Sequence, residues 1–217
     1  MTGFFGNDAW AKHAPTLKTL QDALTIRESL LASLEKAERN VDPNEVEALL
    51  TFVVIGGGPA GVEMAGAIAE LARSALAKDF KNLDPMMVEI LLVEAGPSIL
   101  SSFPKHLSQY ALRALEKLGV EVRLTSPVTQ IDQDGINLGE QRISSRNVVW
   151  CAGTQARPAA KWIGATADRN LGVRVSKNCS VIGNLTSSPS ATSRALTQVK
   201  GSGCQDWLPW RSNRVDL

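Results

Sequence analysis

The sequence predicts an α/β fold, in which parallel strands form a half-sheet covered by helices and interrupted by a small antiparallel β insert. Three observations lead to this prediction. Residues 52–55 (FVVI) are a short apolar, β-branched run before a glycine cluster and an alanine-rich stretch, as in a buried strand that turns into a helix. Apolar runs at 88–94, 120–124 and 147–151 alternate with helix-forming segments. Asp134-Gly135 marks a hairpin, the insert, before the last run.

The helices are predicted from the spacing of apolar residues and from their start signals. Thr19 and Asp22 have the spacing of a capping box, and apolar residues recur behind them at steps of three and four, which predicts a helix over about 19–39. Asp42-Pro43 should begin a short helical turn that leads into the strand at Phe52. The remaining predictions are a loop over residues 1–16 and helices over 59–77 and 105–118.

The composition excludes several classes of function. The 217 residues carry a formal net charge of +1, which gives no electrostatic reason to bind nucleic acid. The three cysteines, Cys151, Cys179 and Cys204, form no CxxC motif and indicate a reducing compartment, the cytoplasm. No apolar run reaches the ~18 residues that a membrane-spanning helix needs. His13 and His106 are expected at the surface, and we predict no metal site and no catalytic acid–base pair.

The glycine cluster has the spacing Gly56-x-Gly58-x-x-Gly61 between a strand and a helix, which is the context of a dinucleotide-binding fingerprint. Gly56 should make the tight turn, Gly58 should let the backbone approach a pyrophosphate, and Gly61 should let the helix pack closely on the strand. Pro59 suits the first helical position, and the helix start at Pro59-Ala60 would direct free N–H groups at the phosphates. The alternative is a glycine-rich turn without a ligand. The fold class is thus a Rossmann-like NAD(P)-binding half-sheet.

Two acids accompany this loop. Glu94 ends the second strand, where a carboxylate accepts hydrogen bonds from the adenosine ribose hydroxyls, although it follows Gly61 by more than the usual ~20 residues. It would repel a 2′-phosphate, and no arginine occurs in the following AGPSIL, so NADH is favoured over NADPH. The alternative is a solvated strand-end acid. Glu63, expected in the first helical turn, could equally be an acid that interacts with the helix dipole.

Several stretches together resemble the type II NADH:quinone oxidoreductases: FFGNDAWAKHAPTLKTLQDALTIR, GGGPAGVEMAGAIAEL, VEAGPSIL, FPKHLSQYALRALEKLGVEV and VVWCAGTQARPAAKWIGA. The resemblance covers residues 3 to about 184. It implies a flavoprotein with two dinucleotide-binding domains that transfers a hydride from NADH to FAD and then reduces a quinone. Another FAD-dependent pyridine-nucleotide reductase, or an NAD(H)-binding fragment without turnover, is the alternative.

The resemblance also implies roles for particular residues. Gly56, Gly58 and Gly61 would hold the NADH pyrophosphate, Glu94 the ribose, and Glu63 would lie near the nicotinamide end. Ala152-Gly153-Thr154 would lie where the nicotinamide stacks on the flavin, and a glycine there would allow close backbone approach. The family further implies peripheral association with the cytoplasmic face of a membrane and a possible homodimer.

The family pattern divides the chain into four segments. Residues 1–49 would be an N-terminal helical remnant of the FAD domain, 50–153 the NADH-binding domain, 154–184 a return towards the FAD domain, and 185–217 a disordered tail outside the family pattern. A one-base shift of the reading frame near the Asn184 codon would explain the tail, because the shifted frame can encode PDVIAIGD, the flavin strand of the family.

Two consequences follow from this division. The FAD-domain segments would be incomplete, Met1 would be an internal start, and residues 19–39 would lose a packing partner. Residues 50–153 would keep a core that is largely their own.

Overall fold

The computed structural model describes residues 3–81, 83–153, 159–167, 172–176 and 181. The chain separates into two compact units, Gly3–Gly153 and a second one made of Met1–Thr2 with Thr154–Leu217. The strands are β1 Thr51–Ile55, β2 Glu89–Val93, β3 Val120–Arg123, β4 Val128–Asp132, β5 Gly135–Leu138, β6 Gln141–Ser144 and β7 Asn147–Trp150. The helices are α1 Leu20–Arg39, α2 Pro43–Leu50, α3 Pro59–Asp79, α4 Lys105–Lys117 and α5 Ala159–Trp162.

The main sheet is parallel and has the strand order β3-β2-β1-β7. Val53 of β1 pairs with Leu91 of β2 on one side and with Val148 of β7 on the other. The chain moves outwards from β1 to β3 and then returns to the opposite side of β1 as β7. The order reverses between β1 and β7, and in open α/β sheets a ligand-binding crevice lies outside the carboxyl ends of the strands at such a point. The predicted α/β half-sheet is therefore confirmed.

The antiparallel insert is a three-stranded sheet with the order β4-β5-β6. The predicted hairpin at Asp134-Gly135 is confirmed as the turn between β4 and β5. The stretch INLGEQRI, however, contains two strands, because the chain reverses again at Gly139, which has a positive φ of 60°. Gly135 also has a positive φ, 139°, and a Cβ there would lie 2.0 Å from the carbonyl oxygen of Ile143. The insert thus depends on glycine at its first turn.

Helix α1 begins at the predicted capping box. The Asp22 amide donates to Thr19 Oγ1 at 3.1 Å, and the Thr19 amide donates to Asp22 Oδ2 at 2.9 Å. Hydrogen bonds from the Lys18 and Thr19 amides lower the pKa of the Asp22 carboxyl. Helix α2 begins in a similar way, because the Asp42 side chain accepts from the Asn44 amide at 3.0 Å and Pro43 occupies the first helical position. Both starts follow from local hydrogen bonding.

The core lies on both faces of the parallel sheet. On one face, Phe52, Val54 and Leu92 pack with the helices, and on the other Val53, Ile55 and Leu91 pack with the insert. The helical side includes buried residues from α1 and α2, namely Leu30, Leu34, Ala37, Leu49 and Leu50. Most of the buried residues of both clusters belong to residues 50–153, as expected, and α1 adds Leu30, Leu34 and Ala37 to them. The loss of a packing partner of residues 19–39 in the FAD domain stays a prediction. The origin of residues 1–49 as an FAD-domain remnant stays a prediction.

The first sixteen residues are more ordered than the predicted loop. Asp8–Lys12 form a 3₁₀ helix, and Thr16 pairs with Trp150 at the edge of β7. Phe4 and Trp10 pack on Trp150, with ring centroids 5.0 Å and 5.8 Å away. The physical reason is burial, because these two side chains cover the large indole of Trp150, which is only 3% exposed.

The second unit is described only in part. It contains α5, the β-bridges Ala167–Val173 and Val175–Val181, and a small apolar cluster of Ala160, Val173 and Val181. The predicted tail, residues 185–217, lies outside the described residues. Within the described ranges, no helix is both long and apolar enough to cross a bilayer.

Candidate nucleotide-binding site

The glycine loop lies at the carboxyl end of β1, beside the point where the strand order reverses. Gly56 follows β1 directly with φ of 112°, and its amide donates to the Val93 carbonyl of β2 at 2.8 Å. Gly58 then serves as the N-cap of α3, and Pro59 is the first helical residue. The strand-turn-helix context that the fingerprint requires is confirmed.

The three fingerprint glycines are glycines for different reasons. A Cβ on Gly56 would lie 2.8 Å from the Ala152 amide nitrogen, and one on Gly61 would lie 1.8 Å from the Gly56 carbonyl oxygen. Backbone atoms of the chain therefore leave no space for a side chain at either position, as predicted for a tight turn and for close helix packing. A Cβ on Gly58 would meet nothing within 4 Å, and the φ of Gly58 is an ordinary −74°. Within the described residues, neither crowding nor strain requires glycine at position 58.

The start of α3 is suited to an anion. The first amides of an α-helix have no partner inside the helix, and the N-terminal end of the helix dipole is positive. Gly58 has no side chain to cap these amides, and Pro59 and Ala60 are exposed. The first turn also contains no acidic residue. This end of α3 can therefore accept a phosphate group without competition from a side chain.

Glu94 lies directly after β2, half-buried beside the glycine loop. Its Oε2 accepts from the Gly57 amide at 2.6 Å, and its Oε1 accepts from the Gly96 amide at 2.7 Å. The structure thus brings the predicted acid and the predicted loop into direct contact. Since an ionised carboxylate offers about four acceptor positions, two remain for other donors.

The segment after Glu94 packs against the glycine loop through Ile99 and Leu100. The sequence did not predict these contacts. The Leu100 amide donates to the Gly57 carbonyl at 2.7 Å, and a Cβ on Gly57 would lie 2.9 Å from Ile99 Cγ2. Ile99 is 1% exposed. Gly57 occupies a variable position of the fingerprint, so its spacing gave no signal. The pairing of Gly57 with Ile99 and Leu100 follows only from β1 and β2 being neighbours.

Glu63 is the fifth residue of α3 and is exposed. The expectation that it lies in the first helical turn is wrong, because α3 begins at Pro59 and its first turn ends before Glu63. An interaction with the helix start therefore no longer explains the residue. Its place near the nicotinamide end stays a prediction.

Ala152 and Gly153 follow β7, next to the glycine loop. The Ala152 backbone occupies the space that a side chain on Gly56 would need. Gly153 has φ of 66°, and a Cβ there would lie 2.0 Å from the Gly3 carbonyl oxygen, while the Gly3 amide donates to the Gly153 carbonyl at 2.7 Å. The backbone that approaches Gly153 closely is therefore that of Gly3. Since Gly3 already explains why residue 153 is a glycine, Gly153 is not evidence for a bound nicotinamide. Thr154 lies outside the described residues.

The other candidate side chains show no sign of catalysis. Cys151 is half-buried one residue beyond β7, and burial raises the pKa of its thiol to about 11, so it is not an activated nucleophile. His13 and His106 are exposed, as predicted. Among the described residues, no cluster of histidine, cysteine and acidic side chains could hold a metal ion.

The parallel sheet and its glycine loop define a dinucleotide-binding class of fold, and a comparison with protein families shows which family the chain belongs to. The model of the pyridine nucleotide-disulphide oxidoreductases matches residues 6–189, so the chain belongs to that family. Within it, the chain is 39% identical to the type II NADH:quinone oxidoreductase NdhA of Mycobacterium tuberculosis over 92% of its own length and 46% of that protein. It is 43% identical to Ndh of the same organism over 70% of its length and 34% of that protein. The resemblance seen in the sequence motifs is confirmed.

A solved structure supports the fold. NDH2 from Plasmodium falciparum in complex with NADH superimposes with a TM-score of 0.71 over 84% of this chain and 39% of that one, at 24% identity. At this identity the match bears on fold alone. The chain spans about half, or less, of the relatives it matches.

Proposed function

We propose that this chain binds NADH at the glycine loop and is the NADH-binding portion of an FAD-dependent NADH:quinone oxidoreductase. The pyrophosphate lies beside Gly58 against the first turn of α3, and the adenosine ribose lies at Glu94. The observation that supports this most directly is the open space at Gly58. Because the described residues leave that position unconstrained, its glycine is explained by a partner outside the chain that approaches the backbone closely.

The charges at the end of the sheet favour NADH over NADPH. A 2′-phosphate would meet the Glu94 carboxylate, which two backbone amides hold in place. Arg123 ends the neighbouring strand in register with Val93, but its Nε is paired with Glu121 Oε1 at 2.7 Å. Glu121 therefore partly compensates the charge of that guanidinium.

The reaction of the whole protein is hydride transfer from NADH to FAD, followed by quinone reduction. FAD, when bound, supplies the hydride-accepting chemistry. The described residues contain one glycine-rich phosphate-binding loop, assigned to NADH, and they do not provide a second one for FAD. The contribution of this chain is to bind and orient the dinucleotide. Ala152, Gly153, Thr154 and Glu63 are proposed to border its nicotinamide end.

The test compares two glycines of the same helix region. Gly58→Ala should weaken NADH binding at least about tenfold, because its methyl group occupies the space of the pyrophosphate. Its stability should be unchanged or slightly higher, since the φ of Gly58 suits alanine. Gly66→Ala is the control, because a Cβ there has only Leu118 Cδ1 nearby, at 3.9 Å. NADH fluorescence titration of the three chains measures the effect. Equal affinities for Gly58→Ala and the parent chain would contradict the proposal.

A second candidate function is NAD(H) binding without turnover. It is favoured by the compact unit Gly3–Gly153, which contains both the glycine loop and Glu94. The third candidate function is that of another FAD-dependent pyridine-nucleotide reductase. Flavin absorbance of the purified chain, and NADH oxidation with a quinone or with a soluble acceptor, distinguish the three. Association with the cytoplasmic face of a membrane and a homodimer are proposed from the family resemblance, and vesicle flotation and sedimentation test them.

A further inference from the structure

The contacts of Glu94 assign it a second role, which rests on the proposed function and deepens it. We propose that Glu94 is a positioning residue, which holds the glycine loop ready for the dinucleotide through the amide of Gly57. This role is separate from ribose recognition, because both hydrogen bonds are made to the chain's own backbone amides.

The peptide groups of Gly57 are held on both sides. Its amide donates to Glu94 at 2.6 Å, and its carbonyl accepts from the Leu100 amide at 2.7 Å. Gly57 separates the turn residue Gly56 from the N-cap Gly58. An error in the orientation of Gly57 therefore shifts the start of α3, where the phosphate is bound.

Glu94 is itself fixed to the sheet. Its amide donates to the Arg123 carbonyl at 2.9 Å, and its carbonyl accepts from the Ser126 amide at 3.0 Å. The position of the carboxylate is thus set by the ends of β2 and β3. Through Glu94, these strands determine the conformation of a loop that follows β1.

The stem of the Glu94 side chain packs against Gly57. The position of a Cβ on Gly57 lies 3.0 Å from both Cβ and Cγ of Glu94, so the stem of the glutamate packs directly under the loop. Rotation of Glu94 away from the loop would leave the amides of Gly57 and Gly96 without their acceptor. Hydrogen bonds to a charged group are stronger than neutral ones, and removing the acceptor leaves two donors unsatisfied.

Both roles can operate together. The carboxylate uses one acceptor position of each oxygen for the backbone, and the others remain for the ribose hydroxyls. A loop held in its binding conformation before the ligand arrives loses less conformational entropy on binding. Glu94 should therefore affect the affinity for the pyrophosphate as well as for the ribose.

The first test examines the nucleotide-free chain by site-resolved amide hydrogen exchange. Glu94→Gln replaces one acceptor oxygen with a donor, so at least one of the Gly57 and Gly96 amides should exchange about tenfold faster or more. Glu89→Gln is the matched control, since Glu89 is an exposed acid at the other end of the same strand. Glu94→Asp, which keeps the charge but shortens the side chain, is the second variant should Glu94→Gln not fold. Unchanged exchange at both amides in the folded variant would overturn the proposal.

The second test separates positioning from ribose recognition. NADH and an analogue without the two adenosine ribose hydroxyls are titrated against the parent chain, Glu94→Gln and Glu89→Gln. Positioning predicts that Glu94→Gln weakens both ligands, the analogue by about tenfold. Loss of affinity for NADH alone, with the analogue unaffected, would overturn it. If the parent chain binds no NADH while the exchange result holds, the proposed function fails and the assignment of Glu94 as the residue that fixes the loop is supported.

Discussion

At the scale of single residues, the glycines of this site are distinguished by what surrounds each of them. Gly56 and Gly153 need positive φ, Gly61 lies against a backbone oxygen, and Gly58 faces open space. One residue type thus serves turn geometry and close packing, and we propose that at Gly58 it serves ligand access. The fingerprint predicts a role for each of its three glycines, and the surroundings of Gly56 and Gly61 agree with those roles.

The structural role of Gly61 gives a prediction opposite to that for Gly58. Gly61→Ala should lower the free energy of unfolding by about 1–3 kcal/mol, because its Cβ would overlap the Gly56 carbonyl oxygen and the backbone must shift. Urea denaturation measures the effect. Gly66→Ala, in the interior of the same helix, should instead be neutral or stabilising by up to about 1 kcal/mol. A Gly61→Ala chain as stable as the parent would show that the loop can move without cost.

At the scale of elements, one arginine joins three parts of the fold. Arg146, just before β7, binds both carboxylate oxygens of Glu45 in α2, at 3.0 Å and 2.6 Å. It also binds Asp134 in the turn between β4 and β5, and the Gln133 carbonyl at 3.1 Å. The insert and α2 are therefore connected through a single side chain. Sequence spacing could not predict this, since Glu45 and Arg146 are far apart in the chain.

This network should make stability depend on pH. The hydrogen bonds from Arg146 lower the pKa of Glu45 in the folded chain. The stabilisation is therefore full above the ordinary pKa of a glutamate and is lost as the pH falls through the lowered value. Arg146→Gln should reduce the free energy of unfolding at neutral pH by about 1 kcal/mol and flatten its decline in acid. Denaturant unfolding across the acidic range measures both.

The control for this prediction is Arg113→Gln. Arg113 is exposed on α4, and the structure shows no ion pair for it within the described residues. Its removal should change neither the stability nor its dependence on pH. If the parent chain and Arg146→Gln lose stability in parallel as the pH falls, the network does not contribute.

At the scale of the whole molecule, residues Gly3–Gly153 form one compact unit. Helix α1 contributes Leu30 and Leu34 to the core under the sheet, and the first residues cover Trp150 with Phe4 and Trp10. The parallel sheet therefore depends on residues that precede its first strand by up to about fifty positions. The compact unit therefore includes residues outside the glycine loop and the parallel strands.

This dependence predicts how shortened chains behave. A chain of residues 1–153 should unfold cooperatively in urea. A chain of residues 50–153 should lack a cooperative transition or aggregate, because the faces that α1, α2 and Phe4 cover become exposed to water. Circular dichroism and size-exclusion chromatography compare the two. Equal midpoints would mean that the first 49 residues do not stabilise the sheet.

The sequence by itself determined the features that depend on neighbours along the chain: the alternation of strands and helices, the capping box at Thr19, and the turn from Gly56 to Gly61 between a strand and a helix. Local hydrogen bonding, backbone conformation and periodicity set these features. Only the tertiary structure decided that Glu94 holds Gly57, that Gly153 is a glycine because of Gly3, and that Arg146 joins α2 to the insert. These contacts join residues distant in sequence, so they exist only once the strands have paired and both faces of the sheet are covered.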